Sequence, residues 1–187
     1  MPRKSLAVER RAQILDAFTR CVATHGLEGT SLEQIAREAG VKRSILRHYV
    51  GNREDLIHAL AERVAERYRA QLVRLAAATS TRTLLGYLFP TDPTPPAEML
   101  AVEALIATSD QRPQVRDRIR ALIDETVEAT VDVLRRTHPD APSGRRWTVA
   151  AGLVALSFNH DSLSPLQLPA KHGRAARANA RALLDSL

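Results

Sequence analysis

Cysteine is almost missing from this chain: Cys21 stands alone among 187 residues. One thiol cannot close an intrachain disulfide, and no CxxC or Cys/His cluster surrounds it. Neither a disulfide-stapled secreted scaffold nor a structural zinc site is supported, and a reducing cytoplasm fits. Long apolar runs are missing too. The longest, near Val149 to Phe158, is far short of the ~20 residues that span a bilayer, and the charged start MPRKSLAVERRAQ lacks a signal-peptide core. A soluble protein without membrane partners is expected. Glycine is sparse, at 8 residues, and no glycine-rich dinucleotide turn, P-loop, GxSxG elbow or HExxH pair occurs. His160-Asp161 with Ser157, Ser162 and Ser164 hints at nucleophilic chemistry, but without those signatures an enzyme is the weaker alternative, and no metal or cofactor is expected.

Basic residues are what the chain does have, and they are unevenly placed. Residues 1–53 hold ten Lys/Arg against five Asp/Glu, whereas residues 54–187 hold seventeen against sixteen, so nearly all of the net charge of +6 is N-terminal. Counterion release rewards Lys and Arg only where they meet phosphates. The imbalance is therefore either a nucleic-acid footprint or an unevenly charged solvated face.

Apolar residues recur at three-and-four spacing almost everywhere, with no sustained two-residue alternation, so the fold class is all-α with about nine helices. Ile14, Phe18, Cys21 and Val22 form one stripe of a first helix over about Val8 to Ala23, stopped by Gly26. Ser31-Leu-Glu-Gln34 has the form of a capping box opening a second helix that ends at Gly40. A third covers about Lys42 to Tyr49. Asn52 and Asp55 cap a long fourth helix reaching about Ala78, a rod between two regions. Further helices are expected near 81–89, 97–109, 113–136, 144–158 and 170–186, separated by breaks at Pro90–Pro96, 137–144 and 160–169.

The segment Leu32 to Tyr49 reads as a helix-turn-helix. Such a unit needs inward apolar residues, a small residue at the helix crossing and a turn residue tolerant of positive φ. Ile35, Ala39, Leu46 and Tyr49 supply the first, Ala36 the second and Gly40 the third, with Val41 plugging the turn. An ordinary three-helix packing unit is the bland alternative. Lys42, Arg43, Ser44, Arg47 and His48 are left uncommitted on the third helix, a donor-rich face suited to base edges in a major groove. Thr30 and Ser31 at the second helix start, and Arg53 at the fourth, are placed for phosphates. Arg3 and Lys4 either reach a minor groove or form a solubilising tail.

The run T-S-L-E-Q-I-A-R-E-A-G-V from Thr30, followed by H-Y-V-G-N-R-E-D-L from His48, resembles the tetracycline-repressor (TetR) family pattern. There, T-[TS]-x-x-x-I-A-x-x-A-G-V leads into a recognition helix and then an N-K-E-x-L-like helix start; the likeness spans about residues 8 to 60. It implies a three-helix DNA-binding head in residues 1–53, a connecting fourth helix, and a larger ligand-binding and dimerisation helical domain in residues 54–187. The implied protein is a homodimeric transcriptional regulator. A repressor released from palindromic double-stranded operator DNA by a small-molecule effector comes first; an activator or an effector-independent regulator is the alternative. Four positions depart from the pattern. Lys42 replaces a capping serine, Val50 a phenylalanine and Arg53 a lysine, while Arg47 stands where tyrosine is usual and serves either phosphate contact or base reading. Tyr49 closes the set of candidate DNA contacts.

Beyond Leu56 no motif fixes an effector. Apolar positions including Leu88, Met99, Ile106 and Ile123 either enclose a pocket or are plain core, and Tyr87, Trp147, Asn159 and His160 are candidates for orienting a ligand. Leu153, Leu156, Ala176, Ala180, Leu183 and Leu184 on the last two helices either form a four-helix dimer contact or finish the protomer's own core.

Overall fold

The computed structural model describes residues 3–90 and 96–187, apart from the side chains of residues 3–5 and 96. The side chains on which a minor-groove arm at Arg3 and Lys4 would rest, and most of the Pro90–Pro96 break, therefore lie outside what is described. Among the described residues there are nine α-helices and no strand: α1 (Arg3–Gly29), α2 (Leu32–Glu38), α3 (Arg43–Val50), α4 (Arg53–Ala76), α5 (Thr81–Leu88), α6 (Pro96–Ala107), α7 (Pro113–Thr137), α8 (Ser143–Ser162) and α9 (Ala170–Leu184). The all-α expectation holds. Two helices outrun the sequence reading. α1 starts earlier and is interrupted, not ended, at Gly26 (φ 71°, ψ 168°), after which Leu27–Gly29 add a last turn. α8 continues to Ser162, and a 3-10 turn over Ser164–Leu166 carries the expected break.

Two compact units result, Met1–Ala65 with Pro95–Ile119, and Glu66–Thr94 with Arg120–Leu187. In the first, α1 packs against α2, α3 and α6. The expected stripe of Ile14, Phe18, Cys21 and Val22 is buried, as are Ile35, Leu46, Leu56, Ile57 and Leu60. Removing each large aliphatic or aromatic side chain from water contributes roughly 1.5–3 kcal/mol. The packing of α6 on α1 has no counterpart in any local pattern. It is reinforced by Arg112, in the turn between α6 and α7. Its guanidinium meets Glu54 through Nε (3.1 Å) and Nη2 (3.2 Å), and Glu28 through Nη2 (3.2 Å).

The second unit has its own core, which includes Leu84, Phe89, Val133, Leu134, Val149, Ala150 and Leu153. Its turns are held by side chains donating to orphan carbonyls, as helix ends require. Arg136 Nη2 donates to Ala76 O (2.6 Å), and Arg146 Nη1 to the carbonyls of His138, Pro139 and Ala141. At Gly152 an added Cβ would come 3.1 Å from Leu183 Cδ1, so the absence of a side chain leaves room for Leu183 where α9 packs on α8.

Candidate nucleic-acid interface

The crossing of α2 and α3 is built largely from local chemistry. Ser31 Oγ accepts from Gln34 N (3.2 Å) while Gln34 Oε1 accepts from Ser31 N (2.7 Å), the reciprocal cap expected for α2. Gly40 takes φ 63° in the turn, a conformation that a Cβ disfavours, and Val41 N closes the turn on Ala36 O at 2.9 Å. Gln13, from α1, donates to Ala39 O (2.8 Å) and ties the end of α2 to the helix beneath it. Lys42 precedes α3 in an extended conformation with no side-chain cap, as its replacement of serine implies. Asn52 and Asp55 cap α4 reciprocally: Asn52 N donates to Asp55 Oδ2 (2.9 Å), and Asp55 N to Asn52 Oδ1 (3.0 Å).

Leu46 and Val50 turn inward from α3 and are buried, so Val50 rather than Tyr49 is the second anchor of that helix; Tyr49 is half-buried with its ring edge-on to His48, centroids 5.1 Å apart. Lys42, Arg43, Ser44, Arg47 and His48 are all exposed. Arg43 has one distant acidic neighbour, Glu33 at 3.9 Å, with both side chains well solvated, a pair too open to neutralise the face. The exposed face thus presents donors and positive charge together.

Two candidates for phosphate contact have other partners. Thr30 is 1% exposed and its Oγ1 donates to Gly26 O (2.7 Å). Arg53 donates through Nη1 to Thr30 O and through Nη2 to Leu27 O, with Glu28 Oε2 3.4 Å from Nη2. Its guanidinium ties the α1–α2 corner to the start of α4. Ser31 stays exposed while capping. One apolar residue was missed by the sequence reading: Ile45 lies among the α3 donors and is 39% exposed. Its signal was available, since Leu46 and Val50 four apart define the inward line and Ile45 falls outside it.

The effector candidates differ in burial within their units. Met99 is buried and Ile106 borders solvent in the first unit. In the second, Leu88 is core and Tyr87, Ile123 and Trp147 are exposed. Asn159 and His160 line a cavity of about 340 Å³ between the end of α8 and the start of α9, with Ser164, Gln167 and His172. Of the dimer candidates, Leu153, Ala180 and Leu184 are buried within the unit's own core, and Leu156, Ala176 and Leu183 pack partly buried against it. Among the described residues no cluster of three metal-ligating side chains occurs, and no helix is long and apolar enough to cross a membrane.

Comparison with known proteins agrees with this geometry. Residues 14–60 match the family of bacterial regulatory proteins of the tetR type. The HTH-type transcriptional regulator BetI of Burkholderia mallei is 35% identical over 80 residues, which cover 43% of this chain and 41% of that protein. BetI of Burkholderia cenocepacia is 36% identical over 64 residues, 34% of this chain and 33% of that protein. The chain therefore spans about two fifths of the length of the curated relatives it matches. Solved structures extend the likeness of fold. A TetR transcription regulator from Haloarcula marismortui superposes with a TM-score of 0.80 at 16% identity, covering 96% of this chain and 98% of the other. A transcriptional regulator from Saccharomonospora viridis in complex with choline gives 0.77 at 18% identity, covering 95% and 96%. Residues 14–60 thus match the tetR family, and the described residues share the fold of solved TetR regulators.

Proposed function

We propose that this protein is a sequence-specific transcriptional regulator, a repressor that binds a palindromic operator as a homodimer in the cytoplasm and is released by a small-molecule effector. The observation that carries the reading is the outward face of α3. Five exposed polar or cationic side chains stand on a helix whose inward side is locked by Leu46 and Val50, on a region matching the tetR family. An α-helix fits the major groove, and Lys42, Arg43 and Arg47 can donate to guanine acceptors or to phosphates, while Ser44 and His48 bond base edges. Ser31 and Tyr49 flank that face as backbone contacts. Thr30 and Arg53 take the supporting role of holding the α1–α2 corner at which α2 begins.

One helix-turn-helix touches few base pairs, so a two-fold dimer reading half-sites about 34–36 Å apart supplies the specificity. The exposed remainder of α8 and α9 is the dimer surface in this reading, and residues 54–187 hold the effector. Effector and operator must prefer different states; moving an equilibrium from 1:99 to 99:1 takes about 5.5 kcal/mol of differential affinity. The choline bound to the Saccharomonospora viridis regulator makes choline the first compound to screen. Selection of bound fragments from random duplex DNA tests the whole: a palindrome with salt-sensitive affinity is expected. Equal, negligible binding to every duplex at low ionic strength would refute the reading, and an operator complex indifferent to every candidate ligand would leave constitutive repression.

A further inference from the structure

We propose that Ile45 reads the 5-methyl group of a thymine in the major groove of the operator. This rests on the DNA-binding reading above and adds to it an apolar specificity contact among the polar ones.

At 100° per residue, Ser44 and His48 lie opposite the buried line of Leu46 and Val50, with Ile45 and Arg47 on either flank. Ile45 therefore sits on the outward surface, and its 39% exposure agrees with that placement. A single exposed apolar side chain is ordinary on a protein surface. What distinguishes Ile45 is its company, since its outward-facing neighbours Ser44, Arg47 and His48 are all polar and exposed. A helix selected only for grip on phosphates has no use for a branched hydrocarbon beside its donors, where another cation would add attraction.

The chemistry of the groove narrows the target. Guanine, cytosine and adenine present donors and acceptors there, and thymine adds the one methyl group. An isoleucine offers no hydrogen bond. Against guanine O6, adenine N6 or cytosine N4 it would remove water from a polar group and return nothing, which is a penalty, whereas against a methyl both partners lose only unfavourable hydration. Ile45 thus favours thymine by attraction and disfavours the other bases by desolvation. Its β-branch leaves few χ1 states to lose on contact, so little of the gain is spent on ordering. His48, one turn further along the same helix, is placed to bond a neighbouring base pair.

The test removes the methyl and nothing else. In an operator recovered by fragment selection, each thymine is replaced in turn by deoxyuridine and affinity is measured for the full chain. The wild-type protein is expected to lose about fourfold at one thymine in each half-site, the loss that corresponds to one methyl group buried. Ile45→Ala should bind the thymine and uracil duplexes alike while still unfolding cooperatively, and Ile45→Val should keep most of the discrimination. An operator whose every thymine tolerates uracil overturns the proposal, as does an unchanged thymine-to-uracil ratio in Ile45→Ala; either leaves the regulator reading intact. Failure to recover any bound fragment overturns both.

Discussion

Replacing Arg112 by alanine should destabilise the protein by about 1–2 kcal/mol, although the residue lies far along the chain from the end of α1 and the start of α4 that it braces. The bracket comes from burial. The Arg112 side chain is 12% exposed, but its partners Glu54 and Glu28 are 55% and 66% exposed. A fully exposed pair is worth about 0.2–1 kcal/mol, and breaking a fully buried one costs about 3–5. Here the carboxylates regain water once the arginine is gone, which keeps the cost near the lower bound. Two hydrogen bonds to one carboxylate raise it above a simple surface pair. Nη1 of Arg112 is buried with no partner among the described residues, and that subtracts from the gain. For a chain of this size the midpoint of thermal unfolding should fall by roughly 2–8 °C. Acid titration supplies a second readout. The hydrogen bond from Arg112, ahead of the neighbouring positive charges, holds the Glu54 carboxyl below its ordinary 4.5. A depressed folded value means the contribution is complete above pH 4.5 and lost as the pH falls through that lower value. Arg112→Ala should therefore flatten the acid limb below about pH 4.5 and leave the neutral slope unchanged. A midpoint within about 1 °C of wild type, with an unaltered acid limb, would refute the bracing role.

Three further expectations follow from single residues. Ser31→Ala removes one half of the α2 cap and should cost about 1 kcal/mol in urea unfolding, with Ser31→Gly milder; an alanine variant as stable as wild type would show that Gln34 alone suffices. Asp161, half-buried near the α8 terminus, has its carboxyl pushed up to about 6 by desolvation, with His160 opposing. Its contribution is favourable below 3.8, the ordinary value, and lost as the pH rises through about 6. Asp161→Asn should then be more stable than the parent at pH 7.5 by on the order of 1–3 kcal/mol and nearly equal at pH 4; a gain of the same size at both would refute the burial argument. Arg47→Ala should lower operator affinity, relaxing preference at one base pair if the guanidinium reads a base, or weakening all sequences alike with a salt slope reduced by about 1 if it grips phosphate; unchanged affinity would remove Arg47 from the interface.

The features legible in the sequence by itself lie within three or four residues of one another along the chain. The Ser31–Gln34 and Asn52–Asp55 caps and the Gly40 turn are set by hydrogen bonds and side-chain spacing inside one helical turn, so residue identity and offset suffice to place them, whereas the second anchor of α3 was read as Tyr49 and is Val50. The match of residues 14–60 to the tetR family has the same origin, being a pattern of offsets. The contacts of Arg53 and Arg112 were out of reach: Arg53 grips carbonyls 23 and 26 residues back, and Arg112 pairs with glutamates 58 and 84 residues away. So was the packing of α6 on α1. A surface arginine and a bracing arginine are the same letter in a sequence, and the difference arises when distant segments meet and exclude water between them. The same holds for α8 and α9, where Leu153, Ala180 and Leu184 read equally well as interface or core until folding enclosed them. Periodicity states which face of a helix seeks cover; what covers it depends on where the rest of the chain comes to lie.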